Sequence, residues 1–224
     1  MKTGEFLDRA LSVGLKTTVM SQSLDDHEES VCARIDRASV KYAQFLSEIY
    51  PEWTMDPSMR DTPQRLAKMY VKELFAGVHM LPPKITEFDN VGESAYTGIV
   101  FQGGIDVKSV CSHHIMAFQG KAFVAYIPVD SEKSKIIGLS KLNRLVDYCC
   151  RRPQVQEALT TQIHDLLASI LGETKGIAVH IKASHTCVSM RGVNQESEMK
   201  TTKLSGLFQT NHDGARDEFY AFIK

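Results

Sequence analysis

The sequence predicts an α+β protein in which a helical leader precedes an antiparallel β-β-α-α-β-β unit. Three observations carry that expectation. Apolar residues recur in steps of three and four through residues 31–49. They alternate with period two in "GIVFQ" to "KAFVAYIP" and again in "KGIAVHIKASH". Between those strand regions lie two helix-period segments separated by Pro153. Paired strands around consecutive helices give an antiparallel sheet with the helices on one face.

Along the chain, residues 1–25 are weakly patterned and are expected to be flexible or loosely docked. A helical region spans 26–98. Its first helix carries Val31, Ile35, Ala38, Tyr42, Phe45 and Ile49 as one stripe. Cys32 falls on the apolar side and reads as core. A second helix has Thr62 as N-cap, Pro63 at its first position and Gly77 as its stop, with Leu66, Met69, Tyr70 and Leu74 buried. Residues 80–98, with Pro82-Pro83, read as loop.

The remaining domain spans 99–224. Ile105, Val107 and Ser109 alternate up to Cys111, and Gly103-Gly104 reads as a plain turn. "GLSKLNRLVDYCCRR" and "PQVQEALTTQIHDLLASILG" read as helices, the second burying Val155, Leu159, Ile163, Leu166 or Leu167, and Ile170. A short strand near "KTTKLSGLF" and a helix, "ARDEFYAFI", follow.

Composition narrows the function. The chain has 224 residues, 43% hydrophobic and 24% charged, enough for a sizeable core. A net charge of −1 gives no global field for nucleic acid. No apolar run is long enough for a membrane span, and the N-terminus lacks a signal-peptide pattern. Five cysteines at irregular spacings make a poor disulfide framework, so a reducing cytoplasm is expected.

The chemistry-bearing stretch is "VCSHHI". Cys111 and His114 have C-x-x-H spacing, which lets two side chains converge on one ion from a tight turn. His185 and Cys187 stand two apart on an expected strand and so share a face. Thiolate and imidazole donors favour zinc, and three protein ligands would leave a position open for water. The rival is a closed four-ligand structural site, with His113, His185, Cys149 or Cys150 as the fourth donor. Core packing is the ordinary reading of Cys149 and Cys150.

A second cluster suits an anion. Lys141 and Arg144 share a helix face, and Arg151, Arg152 and Arg191 flank the metal candidates. A solvated basic face is the bland alternative. No phosphate-loop motif is present. Gln156 and Glu157 open a helix, where a carboxylate serves as a cap or accepts paired N–H donors such as the edge of guanine.

"TPQRLAKMYVKELFAG", "CSHH", "GKAFVAYIP", "IIGLSKLNRLVD", "RRPQVQEALTTQI", "SHTCVSMRG" and "LSGLF" stand in the order of one family. From about residue 27 to 222 the chain resembles type I GTP cyclohydrolase. That resemblance implies the tunnelling fold, conversion of GTP and water to 7,8-dihydroneopterin triphosphate and formate, and a homo-oligomer, a decamer with sites between subunits. It further implies Zn2+ on Cys111, His114 and Cys187, with attack at C8 of the guanine. His113 would donate a proton to the ring nitrogen and His185 would be a second acid/base. Glu157, with Gln156, would hold the pyrimidine edge. Ser140, Lys141, Arg144 and Arg191 would clamp the triphosphate, reached also by Arg65 and Lys68. The chain departs from the family's Cys-Glu-His-His at Ser112, where no charge is left to raise a neighbouring imidazole's pKa.

Two other classes compete. Another tunnelling-fold enzyme of pterin or deazaguanine metabolism would need a different nucleophile or a three-histidine site. A non-catalytic, zinc-stabilised nucleotide-binding module would have a closed site and would tolerate changes at His113 and His185.

Overall fold

The computed structural model describes residues 3–15, 24–79, 82–92, 95–131 and 134–224. The chain divides into two compact units, one of residues 17–81 and one of 1–16 with 82–224.

A helix, α1 (Thr3–Ser12), belongs to the larger unit. Residues 1–25 were expected to be loosely held, and this is the first departure from expectation. Phe6, Ala10 and Leu15 are buried in the main core, and Phe6 meets Tyr148 edge-on with centroids 5.4 Å apart. Arg9 Nη1 donates to the carbonyl oxygens of Ser169 and Ile170, which end a later helix. Phe6 and Ala10 stand at helical spacing, but in too short a segment to mark it from sequence, and docking rather than propensity stabilises so short a helix. Residues 16–23 of that N-terminal stretch lie outside the described residues.

The smaller unit is helical. In α2 (Leu24–Ile49), Val31 and Ile35 pack on Ala67 and Val71, with Ala38 and Tyr42 alongside. Phe45 and Ile49 complete the same stripe in sequence yet are 58% and 62% exposed, and Cys32 is exposed rather than core. The packed part of the stripe ends at Tyr42, which stacks on Tyr70 just past α3 (Thr62–Met69). α3 passes into a π-helical turn, Tyr70–Leu74, where Phe75 N–H donates to Tyr70 O at 2.7 Å. Gly77 then lies inside α4 (Ala76–His79) instead of stopping the helix.

The larger unit begins its sheet structure before residue 99. β1 (Glu87–Asp89) pairs with β4 (Lys135–Ile137), so the expected helical boundary at 98 falls nearer 81. Between them run β2 (Val100–Cys111) and β3 (Ala117–Pro128). α5 (Leu139–Cys150), β5 (Pro153–Gln154), α6 (Gln156–Leu171) and β6 (Thr174–His185) follow. The chain then forms α7 (Thr186–Ser189), β7 (Glu198–Gly206), α8 (Leu207–Thr210) and α9 (Ala215–Ala221).

The main sheet has the order β5-β2-β3-β6-β7, antiparallel except for the β5-β2 edge. This is the expected α+β arrangement. Val107, Val124, Tyr126, Val179 and Ile181 face α5 and α6, which contribute Leu142, Leu145, Leu159, Ile163 and Leu166. The opposite face is covered in part by Phe208 and Phe219, which pack on Phe123, Ala125 and Ala178. Gly103-Gly104 is a β-bulge inside β2, not a turn between strands; the ladder shifts register there, and Gly104 has φ +69°. At Gly120 a Cβ would stand 1.9 Å from Lys182 O, so the close approach of β3 to β6 requires glycine.

Candidate active site

The sheet brings the chemistry-bearing segments together at one end. β2 ends at Cys111, the tight turn Ser112–His114 follows, and Ile115 takes a left-handed φ of 56° before β3 begins. Cys111 N–H donates to Met116 O at 2.8 Å and Ile115 N–H to Cys111 O at 2.9 Å, which closes the turn. Ser112 N–H donates to Gln154 O at 3.2 Å and ties it to β5. The β3–β6 register then sets Phe118 opposite His185.

Cys111, His185 and Cys187 place their donor atoms within 4.8 Å of one another, the one such His/Cys/Asp/Glu group among the described residues. Cys187 was expected on a strand; β6 instead stops at His185, and Cys187 reaches the site from α7. Two thiols and an imidazole are donors that suit zinc, whose bonds of ~2.0–2.3 Å would need only a modest inward closure. Burial pushes the Cys187 thiol pKa up, the Cys111 thiol adds to that, and Arg191 opposes it. A dication would reverse the balance by binding the thiolates.

The other histidines of "SHH" divide. His113 Nδ1 stands 3.7 Å from Cys111 Sγ. His114 is exposed, and its Nε2 faces Arg191 Nη1 at 2.8 Å, so the ring lies outside the three-donor group. Cys149 and Cys150 are fully buried in the core, and burial pushes the Cys149 thiol up to about 12. They are absent from the donor group, so neither is the fourth ligand of a closed site.

A cleft of about 310 Å3 opens beside these groups, lined by Cys111, His113, Gln156, Glu157, His185 and Cys187, with Val155, Val188, Ser197 and Met199. His185 stacks on Phe118 at 4.5 Å with planes 9° apart, and its Nε2 lies 2.9 Å from Gln156 Oε1. Burial lowers the His185 pKa, and Glu157 pulls weakly the other way. Glu157 is exposed in the first turn of α6, where its carboxylate is open to a ligand.

None of the residues of the expected phosphate clamp is among those that line the cleft. Ser140, Lys141 and Arg144 lie on α5, and none lines the cleft. Arg65 and Lys68 lie exposed on α3 of the smaller unit, Arg65 paired with Asp61 at 3.2 Å. Phe118, Ser197 and Met199 were missed from the sequence. Phe118 has the look of an ordinary strand core residue, and the other two flank the start of β7 with no motif to mark them.

Residues 39–224 match the family model described as GTP cyclohydrolase I. Proteins named GTP cyclohydrolase 1 are similar over most of the chain. That of Yersinia enterocolitica is 40% identical over 226 residues, covering 100% of this chain and 96% of the relative. That of Aeromonas hydrophila is 39% identical, covering 94% and 91%, and that of Shewanella denitrificans 46%, covering 82% and 83%. Among solved structures, the apo form of an archaeosine synthase QueF-Like aligns with a TM-score of 0.37 and 16% identity over 48% of this chain and 95% of that one.

Proposed function

The chain belongs to the GTP cyclohydrolase I family, and we propose that it converts GTP and water to 7,8-dihydroneopterin triphosphate and formate, with zinc on Cys111, His114 and Cys187. The observation that carries this reading is one cleft lined by both thiols, His113, His185 and Glu157. A zinc ion bound there would supply a nucleophile from water at neutral pH, with a pKa of ~7. Glu157 accepts N–H donors from the pyrimidine edge of the base. His113, beside Cys111, gives a proton to the imidazole ring of guanine as its C8 bond opens. His185 serves as the second acid/base, its pKa held down by burial so that the ring is ready to take a proton.

Ser140, Lys141, Arg144 and Arg191 clamp the triphosphate, with Arg65 and Lys68 contributing. α5 does not line the single-chain cleft, and we assign completion of the clamp to a neighbouring subunit in a homodecamer. The reaction is the first step of pterin/folate-type biosynthesis, in the cytoplasm. Ser112 supplies no charge to the turn, so a Ser112→Glu variant is expected to shift the pH–rate profile; superimposable profiles would refute that role.

A second reading of the ligand set has a specific observation behind it: His185, not His114, stands with the two thiols. In the first reading His114 would hold the ion in place of its contact with Arg191. The test is to incubate protein of known zinc content with GTP and assay both products. Full zinc loading with neither product would sink the proposal.

A further inference from the structure

Gln156 was expected to meet the edge of the base, yet its side chain is spent elsewhere. It is completely buried. Its Nε2 lies 3.2 Å from Ile181 O, 3.0 Å from Met199 O and 3.1 Å from Thr201 Oγ1. Carbonyl oxygens only accept, so the NH2 end of the amide must face them and Oε1 must face the other way. There Oε1 stands 2.9 Å from Nε2 of His185. An amide oxygen also only accepts, so Nε2 of His185 carries the hydrogen. Phe118, stacked on the ring's face, restrains the imidazole from tilting out of that bond.

We infer that Gln156 is a positioning residue for His185: its amide oxygen accepts from Nε2–H, fixes that tautomer and holds the ring's orientation, so that Nδ1 is the nitrogen left without the hydrogen. The amide is anchored to β6 through Ile181 and to β7 through Met199 and Thr201, so its orientation is set by the sheet that carries His185. Which nitrogen of a histidine is free follows from the bond made by the other. Adjacent residues thereby divide the work. Glu157 keeps an open carboxylate for the base, while Gln156 acts only through the imidazole.

The inference rests on the proposed function, and wild-type turnover of GTP tests that reading separately. Gln156→Met keeps the length of the side chain and removes the acceptor. It is expected to lower kcat by roughly tenfold to a hundredfold, the cost of losing a partner that orients an imidazole, with KM for GTP and zinc content little changed. Asp165→Asn weakens the bond from Lys203 in the same helix–strand seam and leaves the partners of Gln156 untouched, so its kcat should stay at the wild-type level. A raised KM at unchanged kcat in Gln156→Met would mean that the amide meets the base, and would overturn the inference. An equal loss of kcat in Asp165→Asn would overturn it as well. Should Gln156→Met fail to fold, 15N-histidine spectra of the zinc-loaded wild type, with His185 assigned by its absence in His185→Ala, still decide. A protonated Nε2 supports the assignment, and an Nδ1–H ring refutes it.

Discussion

Nη1 of Arg191 stands 2.8 Å from Nε2 of His114. A guanidinium has donors only, so that nitrogen of His114 must present its lone pair, the form a metal ligand needs. The contact joins a residue of the expected phosphate clamp to a residue of the expected zinc site.

Arg191→Ala should therefore separate the two roles. Loss of a charge-assisted contact to phosphate, about 1.5–3 kcal/mol, should raise KM for GTP by roughly tenfold to a hundredfold. Zinc content should not fall, because the change frees His114. Lost zinc with unchanged KM would place Arg191 in the metal site's support instead.

The ligand set can be read from zinc content alone. Cys111→Ala and Cys187→Ala each remove a thiolate common to both readings, and each should leave the purified protein with little zinc. His114→Ala should do the same, while His185→Ala should keep its zinc and lose turnover. Zinc retained in His114→Ala and lost in His185→Ala would make His185 the third ligand.

The docked N-terminal helix makes a stability prediction. Phe6 is fully buried against Tyr148, and truncating a buried phenylalanine costs about 3–5 kcal/mol. Phe6→Ala should lower the melting temperature clearly. A change near zero would mean that α1 contributes little to the core.

A fourth prediction concerns pH. His164 is buried, its Nδ1 2.8 Å from Asp165 and its Nε2 2.9 Å from Ser205 Oγ. Burial lowers its pKa and Lys203 acts the same way, against the opposing pull of Asp165. The unfolded chain, with an imidazole pKa of about 6.5, thus takes up the proton first as pH falls. Stability from this group is complete above about pH 6.5 and declines below it. Melting curves should shift to lower temperature on acidification, and the shift should shrink in His164→Gln. An identical shift in the variant would assign the effect elsewhere, for which His180 is the next candidate, since burial lowers its pKa too.

The sequence foretold the parts of this molecule that depend on local pattern. Period-two alternation placed Ile105, Val107, Ile177, Val179 and Ile181 in the core, and Pro153 marked the break between α5 and α6. Spacing pointed to Cys111, Cys187 and His185, which the fold brings together, and also to His114, which lies outside that group. What the sequence hid depends on tertiary contacts. Phe6 has meaning only once Tyr148 is beside it, and Phe45 and Ile49 continue the stripe of α2 yet lie outside its packed part. Gln156 resembled a ligand contact because its partners, Ile181, Met199 and Thr201, come from strands distant in sequence. No periodicity could show that His114 faces Arg191 while His185 faces the thiols.

The central claim is that this cleft, with zinc on its thiols, releases formate from GTP. The most direct measurement is formate released from GTP as zinc is titrated into metal-depleted protein. Release should rise in proportion to zinc bound and level off near one ion per chain, with one formate formed for each GTP consumed. GTP left intact at full zinc occupancy would contradict the account.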